Sequence, residues 1–416
     1  MIMKKTALIT PILMWFMVAM VLANIAGSML PLLLPLYLTD LGASVGQVGL
    51  VFTLTSFAIL FLQVFGGYLS DSIGRLRAIA IGSIGGVLGY TAMLLAPSWQ
   101  WMLAALVIYQ IPFALVGPSF SAFIAENSTE ENRGRVYGIT STIYAVTGVL
   151  GPPLGGFLAA TYGFKPMMLA AAALYALAAG LRIWMATTMR SPQEQSAAPL
   201  NLGTFKTSMK SMAGMLFAGG LLTWIFVTDG VSDIAFRLSN ELQPLYLEQV
   251  AGISLQQIGL LGSLNAVASM FVPMLSGRLA DKRGERVPIA LGFALCGAAF
   301  AVFLSAGSFA TFAAAWIIFG LGGGLLGPAY QSLISKVVPA KRLGVFSGLF
   351  YGSLGLVSLP APWLGAQLWE RFSPRMPFLL TMIASVVVLP LIWFKVRAPK
   401  EAGGLPPAQM GPAPVE

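Results

Sequence analysis

The stretch Gly67-Tyr-Leu-Ser-Asp71-Ser-Ile-Gly74-Arg75-Leu-Arg77 decides the fold, because a near-copy follows at Gly277-Arg-Leu-Ala-Asp281-Lys-Arg-Gly284-Glu-Arg286. Two glycines and the aspartate recur at an offset of 210 residues. The same offset separates Gln47-Val-Gly-Leu from Gln257-Ile-Gly-Leu. A repeat this long is typical of a duplicated domain and not of a solenoid. The sequence therefore predicts two equivalent halves.

The composition indicates that both halves lie in a lipid bilayer. Hydrophobic residues make up 57% of the 416 residues, charged residues 9%, and the mean hydropathy is +0.82. This is more apolar surface than a soluble domain could bury. No charged side chain occurs from Thr6 to Thr39. That run is too long for the core of a signal peptide, so we expect the first span to be retained.

The apolar segments predict twelve membrane-spanning helices, six in each half. After the first run, the predicted spans are 45–66, 78–96, 101–125, 137–161, 166–187, 213–247, 255–276, 287–306, 309–333, 343–369 and 377–394. Polar and Pro-rich composition predicts a linker between the halves and a disordered tail. The predicted organisation is an N-terminal half at 1–187, a cytoplasmic linker at 188–212, a C-terminal half at 213–397 and a cytoplasmic tail at 398–416.

The distribution of basic residues predicts the orientation. An even number of spans places both termini on one side of the membrane. Of the 24 Lys and Arg residues, only Lys165, Arg371 and Arg375 fall on the opposite side, and Arg237 falls within a span. Because basic loops are retained in the cytoplasm, we expect a multi-pass protein of a bacterial inner membrane with cytoplasmic termini. The net charge of +9 then reflects topology, and we expect no nucleic-acid partner.

The inventory of reactive side chains limits the chemistry. The chain has no His and a single cysteine, Cys296, within an apolar span. No nucleophile-and-base set or metal-ligand cluster is present, so we expect neither an enzyme nor a bound metal or cofactor. Any proton chemistry must use carboxylates. We expect a monomer in the bilayer that handles a small-molecule substrate, with the proton gradient as the energy source.

The duplicated stretch resembles the loop signature of the major facilitator superfamily, which lies between helices two and three and again between helices eight and nine. The resemblance covers essentially the whole chain. It implies an all-α membrane protein of twelve transmembrane helices, in two pseudo-symmetric six-helix bundles around a central cavity, which works by alternating access. It assigns a cytoplasmic latch to Gly67, Asp71, Gly74, Arg75, Gly277, Asp281, Gly284 and Arg286.

Asp71 is the chemically informative member of this latch. A carboxylate at the C-terminal end of helix two meets an unfavourable helix dipole and should seek a cation or the N-terminus of another helix. By the resemblance, that partner is helix eleven, which begins near Gly344. The structural alternative is a surface turn with a local pair between Asp71 and Arg75.

Helix five carries a second motif, formed by Gly148, Gly151, Pro152, Gly155 and Gly156. It resembles the superfamily signature of antiporters, notably drug:proton antiporters, and implies efflux of amphiphilic or drug-like compounds. The glycines form a bare stripe that lets another helix approach closely, and Pro152 removes one backbone hydrogen bond and bends the helix. Packing of small residues without a transport role is the alternative.

Helix seven holds the charges that could couple transport to protons. Two residues common in such exporters are missing, since Leu106 stands where helix four would carry an Arg and helix one offers only Asn24 in place of an Asp. The charged residues of helix seven are instead spaced by four and predict one helical face: Asp229, Asp233, Arg237 and Glu241.

Each of these charges costs about 2.5–3.5 kcal/mol inside a bilayer, so they should face the bundle interior and pair. Asp233 with Arg237 is the expected pair. Asp229 is then the deepest carboxylate without an assured partner, and burial favours its protonated form. We predict Asp229 as the proton site, with Asp233 as relay. A purely structural ion-pair chain is the alternative.

Two further functions remain open. Arg237, with Glu241 beside it, could act as counter-ion in a transporter that takes up or exchanges an organic anion. The chain could also be a non-transporting sensor or assembly protein of transporter ancestry. Mid-span residues with polar or aromatic tips predict a mostly apolar cavity. They are Asn24, Gln63, Tyr109, Gln110, Tyr144, Asn265, Trp316 and Tyr351.

Overall fold

A computed structural model describes residues 11–128, 132–188, 220–338 and 340–396. Within these ranges the chain is almost entirely helical and contains no β-strand. Apart from Thr188, the predicted linker lies outside the described residues, as does the predicted tail. The side chains of residues 64–72, 118, 121–122, 125 and 340–345 also lie outside them, including that of Asp71, and Gly67 and Gly344 fall in the same stretches.

The chain divides into two compact units, the first formed by residues 1–199 and 241–263 and the second by 200–240 and 264–416. The helices of the first unit are α1 (Pro11–Met29), α2 (Leu34–Asp40), α3 (Val45–Ile73), α4 (Arg75–Leu95), α5 (Trp99–Tyr109), α6 (Ile111–Glu126), α7 (Arg133–Tyr162) and α8 (Phe164–Thr188). Helix α9 (Leu221–Ser239) belongs to the second unit.

A 3-10 turn (Asn240–Leu242), one α-helical turn (Gln243–Leu245) and a π turn (Tyr246–Val250) follow α9. Helix α10 (Leu255–Met270) starts in the first unit and ends in the second. The remaining helices of the second unit are α11 (Val272–Arg283), α12 (Arg286–Ser305), α13 (Phe309–Val337), α14 (Ala340–Ser358), α15 (Ala361–Arg371) and α16 (Met376–Lys395).

Segment 241–263 differs from the predicted domain boundaries. The sequence places it in the C-terminal half, whereas its contacts group it with the first unit. The reason is close backbone packing: a Cβ on Gly156 of α7 would lie 2.6 Å from the carbonyl oxygen of Leu255 and 3.1 Å from the Cα of Gly259. The first turns of α10 therefore lie directly against α7.

Ten helices of the described part are long and apolar enough to cross a membrane, with α5–α6 and α10–α11 each counted as one. They correspond to ten of the twelve predicted spans. Span seven contains α9, which carries Asp229, Asp233 and Arg237. Span eleven is divided into α14 and α15, and Pro362 stands at the start of the second piece. The three charges of α9 thus distinguish span seven from these ten.

Prolines divide several spans in the same manner. Pro35, Pro112 and Pro273 each occupy the first turn of a helix that resumes after a short interruption. Proline is tolerated there because the first N–H groups of a helix have no partner within the helix, and its fixed φ suits the first turn. The axes of the two helical pieces of such a span therefore need not be collinear.

The two copies of the duplicated stretch adopt the same local structure. Gly74 separates α3 from α4 with φ +89°, and Gly284 separates α11 from α12 with φ +82°. Side chains rarely adopt this conformation, so glycine at these positions permits the reversal. Gly277 lies within α11 and has no such requirement. Both units therefore have a tight reversal at the equivalent glycine.

The repeated Gln-x-Gly-Leu motif also has a structural cause. The Ser44 hydroxyl accepts from the Gln47 amide at 3.3 Å, while Gln47 Oε1 accepts from the Ser44 amide at 2.9 Å. Ser254 and Gln257 repeat this reciprocal arrangement at 3.3 and 3.1 Å. Such a capping box satisfies two N–H groups that the helix leaves unpaired. The duplication therefore preserves the start of α3 and of α10.

Candidate functional site

Helix α9 carries the charges predicted for proton coupling. It packs against α14, α15 and α16 of its own unit. Arg237 Nε donates to Asp233 Oδ2 at 3.0 Å, one helical turn apart, and the two side chains are about one third exposed, 40% and 31% respectively. The ion pair expected from the spacing is therefore present. It neutralises two of the charges that α9 would otherwise bring unpaired into an apolar environment.

Asp229 lies one turn before Asp233 along α9, and no counter-ion from the described residues faces it. It is partly buried and forms no hydrogen bond or ion pair within the described part of the chain. Its electrostatic neighbours are Asp233 and the hydroxyls of Tyr330 and Tyr351. The Tyr330 hydroxyl donates to Thr228 Oγ1 at 3.1 Å and is fixed by that bond. Asp229 thus has a carboxylate and two phenols around it, and none of these neighbours is a cation.

The predicted fourth member of this face, Glu241, leaves the helical register. Helix α9 ends at Ser239, and Glu241 lies in the following 3-10 turn. A 3-10 turn has three residues per turn, so a spacing of four no longer keeps residues on one face. The prediction that all four charges share one α-helical face is wrong for Glu241 and holds for Asp229, Asp233 and Arg237, which α9 contains.

The glycine motif of α7 is a packing surface on two sides. A Cβ on Gly151 would overlap Ser28 of α1, and one on Gly155 would lie 3.0 Å from the Cα of Met29. Gly156 faces the start of α10 instead. A Cβ on Gly148 would meet no atom within 4 Å, so this glycine makes no close approach. Three of the four glycines therefore allow close approach of a neighbouring helix, as the stripe predicts.

The two prolines of α7 leave carbonyls without helical partners, and one of these carbonyls is satisfied from α10. Pro153 has no N–H, so the carbonyl of Val149 loses its bond from four residues ahead. The Ser263 hydroxyl donates to that carbonyl at 2.5 Å. On the α1 side, the Ser28 hydroxyl donates to the carbonyl of Thr147 at 3.0 Å. Hydroxyls from two helices thus bind the backbone of α7 near its prolines.

The described members of the predicted latch lie at the two helix reversals. Arg75 pairs with Glu126 of α6 through its Nε at 3.2 Å. Asp281 is exposed near the end of α11, and Arg286 stacks over the ring of Trp393 with its guanidinium carbon 4.7 Å from the ring centre. The side chain of Asp71 lies outside the described residues, so its contact with helix eleven stays a prediction.

The predicted cavity residues separate into two groups. Tyr144 and Tyr351 are 48% and 44% exposed, Gln63 is exposed, and Asn24, Gln110 and Asn265 are partly buried. Tyr109 and Trp316 are core residues, which corrects their assignment as cavity lining. Tyr109 contacts the ring and hydroxyl of Tyr90, and Trp316 packs against Phe303. Their aromatic surfaces fill helix interfaces within each unit.

The sequence reasoning missed a buried charge within a spanning helix. It counted Arg182 with the basic residues on the side of the termini, but the side chain is 6% exposed and lies within α8. Its Nη1 donates to Ser83 Oγ of α4 at 3.1 Å. The first unit therefore does contain a buried arginine, in the sixth span and not in the fourth. The available signal was its place ahead of the end of the predicted span 166–187.

A family comparison agrees with this architecture. The sequence profile of the Major Facilitator Superfamily matches residues 16–236 and again residues 225–416. Two consecutive matches are what a duplicated six-helix domain predicts.

Characterised relatives share the length of the chain at low identity. The multi-drug resistance efflux pump PmrA homolog of Lactococcus lactis is 26% identical over 369 residues, which cover 86% of this chain and 88% of that protein. The class C tetracycline resistance protein of Escherichia coli is 27% identical over 306 residues, which cover 71% and 73%.

Solved structures agree on the fold. The crystal structure of a POT family transporter in complex with 5-aminolevulinic acid superimposes with a TM-score of 0.75 at 14% identity, over 92% of this chain and 95% of that one. A peptide transporter POT in complex with alafosfalin gives 0.73 at 16% identity, over 92% and 93%. At these identities the likeness concerns the fold alone. Because the family profile matches almost the whole length, the chain belongs to the Major Facilitator Superfamily and is an integral, multi-pass membrane transporter.

Proposed function

We propose that this transporter exports amphiphilic or drug-like compounds in exchange for protons, by alternating access. The observation that carries the proposal is Asp229, a partly buried carboxylate in a spanning helix with no hydrogen bond or ion pair to any described residue. An ionised carboxylate inside a bilayer is costly unless it is paired. Binding a proton removes the charge, so the same side chain can cycle between two states as the protein turns over.

Asp233 is suited to deliver the proton. It lies one helical turn from Asp229, and its side chain is 31% exposed. Its carboxylate accepts a hydrogen bond from Arg237 Nε at 3.0 Å. A proton that reaches Asp233 is then one helical turn away from Asp229. The roles assigned here are proton site for Asp229 and relay for Asp233.

Export as the direction is supported by the relatives and by α7. Two proteins of similar length are named as a multi-drug efflux pump homolog and a tetracycline resistance protein. The glycine-proline motif of α7, which resembles the antiporter signature, forms close backbone packing with α1 and with the start of α10. Small residues at these contacts let the helix backbones approach closely.

The proposal includes the setting in which the protein works. Both termini lie in the cytoplasm of a bacterium, and the protein acts as a monomer in the inner membrane without a cofactor. The excess of Lys and Arg on the side of the termini supports the orientation. Reporter fusions at the two ends would give cytoplasmic signals only, and a periplasmic signal from either end would contradict the topology.

Transport in proteoliposomes tests the coupling. With an imposed pH gradient, wild-type protein should accumulate Hoechst 33342 or tetracycline against its concentration gradient. Asp229→Asn should abolish gradient-driven accumulation because the amide cannot bind and release a proton. Exchange of labelled for unlabelled substrate should continue, since exchange needs no net proton movement.

Asp40→Asn is the matched control, because Asp40 is an exposed carboxylate at the end of α2. This variant should accumulate substrate as the wild type does. Unchanged uphill transport by Asp229→Asn would refute the proton site. Loss of exchange together with accumulation would show that Asp229 is needed for the fold or for substrate binding, and would equally contradict a role confined to coupling.

A further inference from the structure

A buried cation without a counter-ion among the described residues lies in the first unit. Arg182 is 6% exposed, and its Nε has no hydrogen-bond partner. The hydrogen bond from its Nη1 goes to a neutral hydroxyl, that of Ser83, which is itself bound to the carbonyl of Ile79 at 2.7 Å. No described carboxylate lies within ion-pair distance of Arg182.

Burying Arg182 in this way costs free energy unless a further acceptor binds its N–H groups. A guanidinium has five N–H donors and cannot lose its charge in a protein. A buried donor without an acceptor costs about 1–3 kcal/mol, and more when the group is charged. The remedy for an excess of donors is an acceptor. The described side chains around Arg182 do not supply one of opposite charge.

The surrounding polar groups are neutral, and none of them offers a negatively charged acceptor. The hydroxyl of Tyr175 is buried close to Arg182 and has no well-formed hydrogen bond. The hydroxyl of Tyr144 lies in the field of Arg182 and beside Asn24, whose buried Nδ2 has no partner. Four side chains from α1, α7 and α8 thus offer N–H or O–H groups at one place.

Tyr144 gives this cluster its access. Its side chain is 48% exposed, whereas Tyr175 and Arg182 are both at or below 6%. A ligand that reaches the Tyr144 hydroxyl therefore comes within the field of Arg182 without having to enter the core of the unit. Because Arg182 is itself buried, its field is screened less than that of an exposed charge. The cluster therefore combines the exposed hydroxyl of Tyr144, the partly buried amide of Asn24 and the buried charge of Arg182.

The other candidate for an anion partner is already occupied. Arg237, which the sequence suggests as counter-ion for an organic anion, donates to Asp233 at 3.0 Å. A charge that is neutralised by its own neighbour attracts an incoming anion less than one without a partner. Arg182 is therefore the better candidate for the residue that attracts an anion.

We propose that Asn24, Tyr144 and Arg182 form a binding subsite for a carboxylate or similar anionic group carried by the transported amphiphile. Tyr144 and Asn24 donate to the group directly, and Arg182 is the positioning residue that supplies the charge. The inference names a substrate class for the proposed function and rests on it in that respect. It adds that anionic amphiphiles are preferred over neutral ones of the same shape.

Equilibrium binding of two matched probes tests this subsite. 2-Naphthoate and 2-naphthamide share one ring system and differ in a carboxylate against an amide. Tritiated probes are added to purified protein in lipid nanodiscs at pH 7.5, and binding is followed by scintillation proximity. Wild-type protein should bind 2-naphthoate at least about tenfold more tightly than 2-naphthamide, as expected for a charge-assisted contact.

Arg182→Gln should reduce 2-naphthoate affinity about tenfold or more and leave 2-naphthamide affinity nearly unchanged. Arg182→Lys should retain most of the preference because it keeps the charge. Lys165→Gln removes an exposed basic residue outside the cluster and is the matched control. If Arg182→Gln does not fold, Tyr144→Phe serves instead, since Tyr144 is half exposed, and it should weaken 2-naphthoate binding selectively.

Three outcomes would overturn the subsite. They are the absence of a preference in the wild type, a preference that survives in Arg182→Gln or in Tyr144→Phe, and a preference lost in Arg237→Gln but not in Arg182→Gln. Binding here needs no pH gradient, so the result is independent of the coupling test. Asp229→Asn should keep the preference for 2-naphthoate even where it has lost uphill transport, and this separates failure of the subsite from failure of the proposed coupling.

Discussion

At the scale of single residues, Ser263 shows how a helix broken by proline is repaired from outside. Pro153 deprives the carbonyl of Val149 of its helical partner, and the Ser263 hydroxyl donates to that carbonyl at 2.5 Å. The same bond ties the first turns of α10 to α7. One hydroxyl therefore satisfies a backbone acceptor and also fixes two helices against each other.

Removing this hydroxyl should cost stability only while the proline is present. We expect Ser263→Ala to lower the free energy of unfolding by about 1–2 kcal/mol, because a partly buried carbonyl is left without a partner. In a Pro153→Ala background the new alanine supplies an N–H that can bond the Val149 carbonyl, so the same substitution should cost much less. Unfolding by SDS titration of the four proteins gives the coupling energy.

The contrary result is simple to recognise. Equal losses from Ser263→Ala in the two backgrounds would mean that the hydroxyl contributes by packing and not by satisfying the carbonyl that the proline leaves free. Thr142→Ala is a suitable control, because its hydroxyl is exposed and bonds only its own helix at 2.9 Å. That variant should remain close to the wild type in both backgrounds.

At the scale of secondary-structure elements, α7 separates glycines that matter for packing from one that does not. Gly156 meets the backbone of α10, where neither the carbonyl of Leu255 nor the Cα of Gly259 can move independently of its helix. Gly148, two turns earlier in the same helix, faces open space. The motif as a sequence pattern treats these positions alike, whereas the structure does not.

Alanine at the two positions should therefore have opposite effects. Gly156→Ala forces α7 and α10 apart, and overpacking of this kind costs about 1–3 kcal/mol. Gly148→Ala adds a methyl group without a clash and should stabilise the helix by about 0.5–1 kcal/mol, because alanine is the better helix former. Thermal unfolding in detergent compares the two variants directly. A larger loss for Gly148→Ala than for Gly156→Ala would contradict the packing described here.

The same helices show what could be predicted from sequence and what could not. Long apolar runs and the repeat at an offset of 210 residues are signals that the sequence carries, and the helices and the equivalent reversals at Gly74 and Gly284 match them. Glu241 fails because a single 3-10 turn changes the face without changing the spacing. The bond from Ser263 to Val149 joins residues 114 positions apart, and no local pattern encodes it.

Arg182 illustrates a different limit. A basic residue near the end of an apolar run is compatible with a loop or with the interior of a span, since long side chains can reach the interface from within. Only the packing of α8 on α4 decides that it is buried. The sequence analysis considered an arginine only in the fourth span, near Leu106, where none is present. The buried arginine lies two spans further along the chain.

At the scale of the whole molecule, the duplication preserves an ion pair but exchanges the positions of its acidic and basic members. Arg75 and Glu126 pair in the first unit, and the positions 210 residues later hold Glu285 and Lys336, which pair in the second. Both pairs join the helix after a glycine reversal to the end of the fourth span of their half. The geometry is retained in each unit, while the charge at each position is exchanged.

The acidic member of the second pair should make stability depend on pH. Burial alone would raise the pKa of Glu285, but hydrogen bonds from Lys336 and Ser332 outweigh it and hold the pKa below its ordinary value of 4.5. A lowered folded-state pKa contributes stability that is present above pH 4.5 and lost as pH falls through the folded-state pKa. The stability difference between wild type and Glu285→Gln should therefore be constant near neutral pH and shrink below 4.5.

Thermal unfolding of the two proteins at a series of pH values measures this difference. Ser332→Ala serves as an intermediate case, because it removes one of the bonds to Glu285, at 3.0 Å, and leaves Lys336 in place. It should reduce the plateau difference without changing the direction of the pH dependence. A difference that grows on acidification would show that Glu285 is protonated in the folded protein and would contradict the assignment.

The reversed pairs also predict that the second unit accepts the charge order of the first. Glu285→Arg alone places two cations together, and Lys336→Glu alone places two carboxylates together, so each should destabilise the protein by about 1–3 kcal/mol. Together they recreate the order of Arg75 and Glu126, and most of the stability should return as a favourable coupling energy. Lys282→Glu, a charge reversal at an exposed position of the same reversal, controls for net charge and should have little effect. If the double variant is as unstable as the sum of the single ones, the two ion pairs are not structurally equivalent. The 210-residue offset would then relate their positions in sequence only.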